Sequence, residues 1–395
     1  MLLCARALLL DGRHWVEGGA LLIEGGSIRR VLTTRAEVRR ARAARRVDCG
    51  DAVLTPGLVD AHAHLELTAL AGRLRGTRSF ADWIRALVRA RAGLDRRAWQ
   101  ASLREGARRL LASGTTTVGD IDSSTTAARA GARLGLRLVV YRELLDLWDE
   151  RRRAQALAGV RRALPARARV REGLAPHAPY TTSDELLAAA RALAGRRALP
   201  VAIHWAETEE EERWLVHGTG ALAALLPRSP RRRGLARLDA AGLLGPRTAL
   251  IHGNHPARGE PERLARAGVT LVHCPGSHAF FGRAPFPLER YRRAGVRVAL
   301  GTDSLASNDE LDMRREMALL RSAFPRLAPA EVFAMATEHG ARALGGAALL
   351  APGAPADVVA WSMRARGLGA ALEELTAGRP AVERAWVAGR AARTP

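Results

Sequence analysis

Residues 54–64 read LTPGLVDAHAH, an apolar run that ends in two histidines separated by one residue. The side chains of a β-strand alternate between its two faces. His62 and His64 are therefore predicted to share one face, with Glu66 next on the same side. Neutral imidazole is a frequent zinc ligand, so the pair indicates part of a metal site whose other ligands come from elsewhere in the chain.

Short apolar runs of the same kind recur along the chain, and the segments between them have helical periodicity. After residues 54–62 the runs are TTTVGDI (115–121), RLVVYREL (137–144), VREGLAPHAP (170–179), PVAIHWAE (200–207), TALIHGN (248–254), VTLVHCP (269–275) and VRVALGTD (296–303). Buried strands that alternate with helices predict a parallel sheet, and eight of them predict a closed (β/α)₈ TIM barrel of the α/β class. Asp303 lies 241 positions after His62 (303 − 62), a span that fits this fold, which typically has ~250 residues.

The two chain ends show a different pattern of short strands and turns, and neither is long enough to bury a core alone. We predict that residues 1–53 and 346–395 pair into one small β-sandwich, and that residues 54–345 form the barrel. Asp11-Gly12 in the first segment is typical of a hairpin turn.

The composition bounds the possible functions. The net charge is +22 and all 62 Lys+Arg positions are arginine, but aromatic residues make up only 4% of the chain. A nucleic-acid-binding protein is therefore only a remote alternative, because such surfaces usually combine positive charge with aromatic platforms or a known module. The sequence contains no apolar run of 18 residues, so it predicts no membrane-spanning helix. The three cysteines lie far apart, and together with the lack of a cleavable leader they favour a reducing, cytoplasmic location.

The predicted strand ends carry a set of polar residues, and the catalytic sites of such barrels lie at that end. The set comprises His62, His64, Asp120, Arg142, His177, His204, Glu207, His252, His273 and Asp303. The nitrogen and oxygen donors of His62, His64, His204 and Asp303 suit one Zn²⁺ or Fe²⁺ ion. The absence of lysine excludes a carboxylated-lysine bridge to a second ion.

The residues around this ligand set predict hydrolytic chemistry. A bound metal lowers the pKa of its water toward ~7 and so supplies a hydroxide nucleophile. Asp303 can accept the proton of that water, and Glu207 can carry a proton to the substrate without binding the metal. His252 can orient the nucleophile or stabilise charge. The acidic residues 209–212 that follow Glu207 are typical of a solvated helix start, and the roles of His273 and His278 stay open.

Several motifs together resemble the amidohydrolase superfamily, in its mononuclear aminohydrolase branch. They are PGLVDAHAH, GLAPHAPYTTS, HWAETEEE, ALIHG, HCPGS and ALGTDSLASND, and they span nearly the whole chain. The resemblance implies that the family's metal ligands fall on His62, His64, His204 and Asp303, and its proton-carrying glutamate and strand-six histidine on Glu207 and His252. The chain departs from adenosine-type members at HCPGSHAFF, where those members tend to have Ser-Asn after the proline.

The resemblance also implies substrate contacts. Residues after strands three and four touch substrate in nucleoside-acting members, and here they match Arg142 and His177. Glu66 is expected to accept hydrogen bonds from a ribose diol, and Trp83 is expected either to cover the pocket mouth or to pack within its helix. HLEL followed by SFADWI looks most like the aminodeoxyfutalosine deaminases of menaquinone biosynthesis.

The sequence therefore predicts a metal-dependent hydrolytic deaminase of an aminated N-heterocycle. The predicted substrate is an adenine-type nucleoside such as 6-amino-6-deoxyfutalosine, whose carboxylate Arg142 would bind. A chlorohydrolase or a guanine- or cytosine-type deaminase of the same branch is the alternative. We expect one zinc (or iron) ion per chain, a small-molecule substrate and a homodimer.

Overall fold

The structure is a computed structural model that describes residues 1–76, 79–165 and 167–392. The N-terminal segment contains the strands β1 (Leu2–Cys4), β2 (Ala7–Leu9), β3 (Trp15–Glu17), β4 (Ala20–Glu24), β5 (Ser27–Leu32), β6 (Arg46–Asp48) and β7 (Val53–Pro56). The barrel strands are β8 (Leu58–Ala63), β9 (Thr115–Asp122), β10 (Arg137–Leu144), β11 (Val170–Pro176), β12 (Val201–Trp205), β13 (Thr248–His252), β14 (Thr270–His273) and β15 (Arg297–Leu300). The C-terminal segment adds β16 (Val358–Ser362), β17 (Ala381–Val387) and β18 (Arg390–Ala391).

Helices connect the barrel strands and flank them. They are α1 (Arg35–Arg40), α2 (Phe80–Ala92), α3 (Arg96–Ala112), α4 (Thr126–Ala130), α5 (Glu150–Val160), α6 (Asp184–Arg197), α7 (Glu209–His217), α8 (Gly234–Ala240), α9 (Glu260–Ala267), α10 (Pro275–Phe280), α11 (Leu288–Ala294), α12 (Met313–Ala323), α13 (Pro329–Met335), α14 (Glu338–Ala343) and α15 (Leu368–Thr376). Ser183 begins α6 by accepting a hydrogen bond from the Leu186 N–H, which satisfies an otherwise unpaired helix donor. Among the helices of the described residues, none has both the length and the apolar character to cross a membrane.

The predicted barrel is confirmed. Strands β8 to β15 pair in sequence order in an eight-stranded sheet, and every pair within it is parallel. Each predicted apolar run overlaps one of these strands. The run 54–62 contains parts of two strands. Residues 53–56 form β7, which belongs to another sheet, and β8 begins at Leu58.

Residues just beyond β15 close the barrel against β8. The Asp303 N–H donates to the His62 carbonyl (3.0 Å), and the His64 N–H donates to the Asp303 carbonyl (3.0 Å). The buried Asp60 carboxylate joins the same two segments by accepting from the His62 N–H (3.2 Å) and the Thr302 N–H (3.0 Å). We call this junction between β8 and the residues after β15 the seam of the barrel. It contains three of the predicted metal ligands, His62, His64 and Asp303.

The chain ends form two sheets that share a core, as expected for the small β-sandwich. A four-stranded sheet has the order β5-β4-β1-β6, and a six-stranded sheet has the order β18-β17-β16-β7-β2-β3. Leu3 and Leu21 of the first sheet pack with Leu54, Val358 and Trp386 of the second. Both ends of the chain thus contribute to the six-stranded sheet, while the domain limits themselves stay a prediction.

Candidate active site

The predicted metal ligands converge at the C-terminal end of the barrel. His64 Nε2 lies 3.4 Å from His204 Nε2. Asp303 Oδ1 lies 3.6 Å from His62 Nε2 and 3.8 Å from His64 Nε2. His252 joins the group, because ring nitrogens of His62, His204 and His252 all lie within 4.8 Å of one another.

The donor set fits one metal ion. The His62 ring is buried, and neither of its nitrogens has a hydrogen-bond partner within the described residues. Burial holds the pKa of His64 and of His204 well below the usual value, so that both rings are neutral and keep a lone pair for a metal. Burial alone would raise the pKa of Asp303, but the surrounding histidines hold it well below its usual value. Three imidazoles and one carboxylate suit a mononuclear metal site.

Neighbouring groups fix the orientation of two ligands. His204 Nδ1 donates to the His177 carbonyl (2.9 Å), which leaves Nε2 as the lone-pair nitrogen that points to the cluster. The hydroxyls of Ser277 and Ser307 both donate to Asp303 Oδ2, at 2.7 and 2.9 Å, so that Oδ1 remains free. Ser277 belongs to the HCPGSHAFF segment, which therefore serves the metal end of the site.

The backbone at the strand ends adopts an uncommon conformation. His252 (φ 76°) and Asp303 (φ 58°) both lie in the left-handed region although neither is glycine. Such residues cost free energy and concentrate at functional sites. Here the conformation turns both side chains into the mouth of the barrel.

Glu207 lies beside the cluster of predicted metal ligands, and an arginine holds it there. Its Oε2 atom is 3.8 Å from His252 Nε2. Arg283 donates from Nη2 to Glu207 Oε1 (2.7 Å) and from Nη1 to the Glu207 carbonyl (2.7 Å). Burial raises the pKa of the Glu207 carboxyl to about 7, against the opposing effect of Arg283. A carboxyl with this pKa can both take up and release a proton near neutral pH.

The acidic run after Glu207 is not uniformly solvated, contrary to our expectation. Both carboxylate oxygens of Glu212 are buried, and Oε2 lies 3.2 Å from Arg233 Nη2. Glu211 is fully buried, and its carboxylate accepts from the backbone N–H groups of Ala206 (3.2 Å) and Glu207 (2.8 Å). The Thr208 hydroxyl caps the same turn by accepting from the Glu211 N–H. Glu211 therefore fixes the backbone that carries Glu207.

A cavity of about 310 Å³ opens from the cluster of predicted metal ligands. Its wall is mainly apolar and is formed by Leu67, Phe80, Trp83, Ile84, Leu87, Val88, Leu145, Leu147, Tyr180, Leu222, Leu225 and Leu226. Polar side chains away from the metal are fewer, among them His177, Glu143 and Arg91. Two of the predicted substrate residues, Trp83 and His177, thus line the cavity, and the Trp83 indole N–H donates to the Ala306 carbonyl (3.1 Å).

Two other predicted substrate residues do not line the cavity. Arg142 faces the outside of the barrel, where it pairs with Glu172 (2.9 Å) and donates to the carbonyls of Arg162 and Gly159. Glu66 follows the end of β8, in a 3₁₀ turn over Leu65–Leu70 that breaks the strand's alternation. Its buried carboxylate accepts from the Ser123 hydroxyl and the Ser124 N–H (3.0 Å). The expected roles of Arg142 and Glu66 are therefore wrong.

Sequence reasoning missed Glu143, Arg91 and Arg283. Glu143 follows Arg142 on β10, and because both residues are polar the sequence did not show which of them faces the cavity. Arg91 and Arg283 lie on segments between strands, where no periodic pattern indicates a site. His273 stacks on Phe286 with ring centroids 3.8 Å apart, and neither His273 nor His278 lines the cavity.

Comparison with known proteins agrees with this architecture. The model of the amidohydrolase family matches residues 53–391. The 5′-deoxyadenosine deaminase of Methanothermobacter thermautotrophicus is 34% identical over 379 residues, covering 90% of this chain and 86% of that protein. The 5-methylthioadenosine/S-adenosylhomocysteine deaminase of Nitratidesulfovibrio vulgaris is 33% identical over 373 residues, covering 90% of this chain and 81% of that protein.

Solved structures show the same fold. An adenosine deaminase from Xanthomonas campestris with bound zinc superimposes with a TM-score of 0.85 at 28% identity, covering 99% of this chain and 92% of that one. Helicobacter pylori aminofutalosine deaminase superimposes with a TM-score of 0.88 over 99% of both chains, but at 20% identity this likeness concerns the fold alone.

A TIM barrel with one metal site at its strand ends defines a class of metal-dependent hydrolases. The chain belongs to the amidohydrolase family, which confirms the resemblance found in its sequence. It is an enzyme that hydrolyses C–N bonds other than peptide bonds.

Proposed function

We propose that the enzyme deaminates an adenine nucleoside at C6 of the purine and releases ammonia. The observation that carries this proposal is the position of Glu207. Its carboxyl lies beside His252, close to the predicted metal ligands, and Arg283 holds it there. A buried carboxyl with a pKa of about 7 suits two successive proton transfers at a ring nitrogen and an amino group. The named activities of the two curated relatives support the adenine ring as the reacting group.

Each polar residue at the metal end has a part in this reaction. When bound, the metal, which we propose to be a single zinc ion, supplies an activated water by lowering its pKa toward ~7. Asp303 accepts the proton of the attacking water, and Glu207 delivers a proton to the ring nitrogen next to C6. Burial lowers the pKa of His252 to about 3, so its ring is neutral and can donate a hydrogen bond to the oxygen that forms at C6.

The identity of the nucleoside is a finer proposal. Our candidate is 6-amino-6-deoxyfutalosine of menaquinone biosynthesis, which carries a carboxylate on its tail. Arg142 faces away from the cavity, but Arg91 lines it and offers a guanidinium beside the apolar wall. Arg91 also contacts Ser123 and lies 3.6 Å from Glu66, which keeps it at the cavity edge. A carboxylated tail would therefore meet Arg91 across the apolar side chains of α2.

The test compares two arginine variants on a substrate panel. We expect zinc-loaded protein to release ammonia from adenine nucleosides and not from guanine or cytosine. The panel contains 6-amino-6-deoxyfutalosine, 5′-deoxyadenosine, adenosine, methylthioadenosine, guanine and cytosine, plus a chlorinated triazine for the chlorohydrolase alternative. Arg91→Ala should lower kcat/KM for the carboxylated nucleoside about 10- to 100-fold more than for 5′-deoxyadenosine, because a charge-assisted hydrogen bond is lost.

Arg142→Ala is the matched control, since it removes a guanidinium of the same barrel that points outward. It should leave the ratio between the two nucleosides unchanged. Activity on 5′-deoxyadenosine without activity on the carboxylated nucleoside would overturn the finer proposal and keep the adenine nucleoside deaminase. Turnover of only guanine, cytosine or the triazine would overturn both.

We further propose a cytoplasmic location and a homodimer, as the sequence predicts. Cys4, Cys49 and Cys274 all carry free thiols, which agrees with a reducing compartment.

A further inference from the structure

Arg283 contacts the proposed proton-carrying group without lining the substrate cavity. Glu207 lines the active-site cavity, and among the described residues Arg283 does not. A neighbouring pocket of about 440 Å³ shows the reverse, because Arg283 lines it and Glu207 does not. The guanidinium therefore reaches Glu207 from outside the substrate cavity, so that any effect on the reaction passes through Glu207.

The two carboxylate oxygens of Glu207 have different neighbours. Oε1 accepts from Arg283 Nη2 at 2.7 Å, whereas Oε2 lies 3.8 Å from His252 Nε2. The side chains of Glu207 and Arg283 are only 8% and 10% exposed, and a charge-assisted hydrogen bond that is shielded from water is strong. Oε1 is thus occupied, and within the described residues only Oε2 is left for proton transfer.

Separate contacts fix the backbone of Glu207. Its carbonyl accepts from Arg283 Nη1 (2.7 Å) and from Asn254 Nδ2 (3.0 Å), and its N–H donates to the Glu211 carboxylate (2.8 Å). Without Arg283, the main chain of Glu207 would still be held at its carbonyl and at its N–H. The carboxylate is therefore the part of Glu207 whose placement depends most on Arg283.

Aromatic rings hold the guanidinium itself in place. It lies over Phe281 and over Phe80, at 4.6 and 5.6 Å from the ring centroids. Such cation–π contacts are attractive and favour one orientation of the guanidinium plane. Arg283 is therefore a fixed donor and not a mobile surface charge.

We propose that Arg283 is a positioning residue, which holds Oε1 of Glu207 and thereby makes Oε2 the oxygen that carries the proton to the substrate. This inference rests on the proposed deaminase function. A carboxylate released from Arg283 could rotate about its side-chain bonds, and misplacement of a reacting group by about 1 Å can cost about 10²-fold in rate. Turnover should therefore depend on Arg283 more than substrate binding does.

The experiment measures kcat, KM and metal content for zinc-loaded variants with 5′-deoxyadenosine as substrate. Arg283→Ala should keep its metal and lower kcat about 10- to 100-fold, with a smaller change in KM. Arg283→Lys should recover part of this loss, because an ammonium can replace one of the two hydrogen bonds but not the pair.

Chemical rescue separates positioning from a general effect on the fold. The pocket beside Arg283 gives a free guanidinium ion access to the place of the missing side chain. Guanidinium chloride at millimolar concentration should therefore raise the kcat of Arg283→Ala, whereas sodium chloride of equal ionic strength should not.

Asn254→Ala is the control, because it removes a donor to the Glu207 carbonyl but none to the carboxylate. It should keep most of the turnover and show no response to guanidinium. An unchanged kcat in Arg283→Ala, or a loss that neither lysine nor guanidinium relieves, would overturn the inference while leaving the deaminase intact. A wild type that releases no ammonia from any adenine nucleoside would overturn the proposed function, and the inference with it.

Discussion

His204 shows how single residues prepare the metal site. Its Nδ1 atom is committed to the His177 carbonyl, and its Nε2 atom meets that of His64 at 3.4 Å. Purified protein should therefore contain about one equivalent of metal per chain, and His204→Ala should lose most of it. His278→Ala, which changes a histidine outside the cavity, should keep the metal. Elemental analysis decides this, and two tightly held ions per active chain would contradict a mononuclear site.

Glu207 should separate turnover from metal binding. It contacts Arg283 and His252 but lies outside the proposed ligand set, so Glu207→Gln should retain the metal. General acid–base groups contribute about 10²–10⁴-fold to rate, and we expect a loss near or above the upper value because two transfers depend on this carboxyl. Steady-state kinetics with metal analysis of the same sample measures both effects. Near wild-type turnover would move the proton-carrying role to another residue, with His252 first.

At the level of secondary structure, the sequence predicted the strands. It predicted only in part which way the side chains at the strand ends point. Apolar runs gave all eight barrel strands, and the alternation of β8 correctly placed His62 and His64 together. The same alternation fails for Glu66, because the backbone enters a 3₁₀ turn after the strand. On β10 both Arg142 and Glu143 are polar, so composition did not indicate which faces the cavity.

Contacts made by connecting segments were beyond sequence reasoning for a different reason. Arg283 and Ser277 reach Glu207 and Asp303 from the segment after β14, and these contacts exist only once the barrel has closed. Likewise, the positive φ angles of His252 and Asp303 are imposed by tertiary structure, because aspartate and histidine adopt this region more often than other non-glycine residues but still do so in a minority of cases.

The tight approach of β8 to the end of β15 gives a prediction about elements. A Cβ atom at Gly301 would lie 2.8 Å from the His62 carbonyl oxygen and 3.0 Å from His62 Cβ. Gly301→Ala should therefore displace His62, lower the free energy of unfolding by about 1–3 kcal/mol and weaken metal binding. Thermal unfolding and metal titration measure the two effects.

The control is Gly159→Ala in α5, where a Cβ atom would meet nothing within 4 Å. It should be neutral or stabilise the protein by up to about 1 kcal/mol, because alanine favours a helix over glycine. Equal destabilisation by both substitutions would argue against a specific contact with His62.

For the whole molecule, the metal site and the seam of the barrel are the same structure. Strand β8 is fixed at its start by β7, which lies between β2 and β16 of the six-stranded sheet. At its end it is joined to the residues just beyond β15 by backbone hydrogen bonds of His62, His64 and Asp303. A metal held by these residues would connect the first and last strands of the barrel through side chains as well as backbone.

Metal removal should consequently loosen the barrel at one place before it unfolds elsewhere. A ligand that binds only the folded state stabilises it by RT ln(1 + [L]/Kd), or about 4 kcal/mol at 1,000 times Kd, so chelation should lower the unfolding temperature. Amide hydrogen exchange should rise most at residues 60–64 and 301–304, where the seam has few backbone hydrogen bonds. The ladder between β10 and β11, which pairs seven residues from Leu138 to Leu144, should change least. A uniform rise in exchange across all eight strands would show instead that the metal stabilises the barrel as a single cooperative unit.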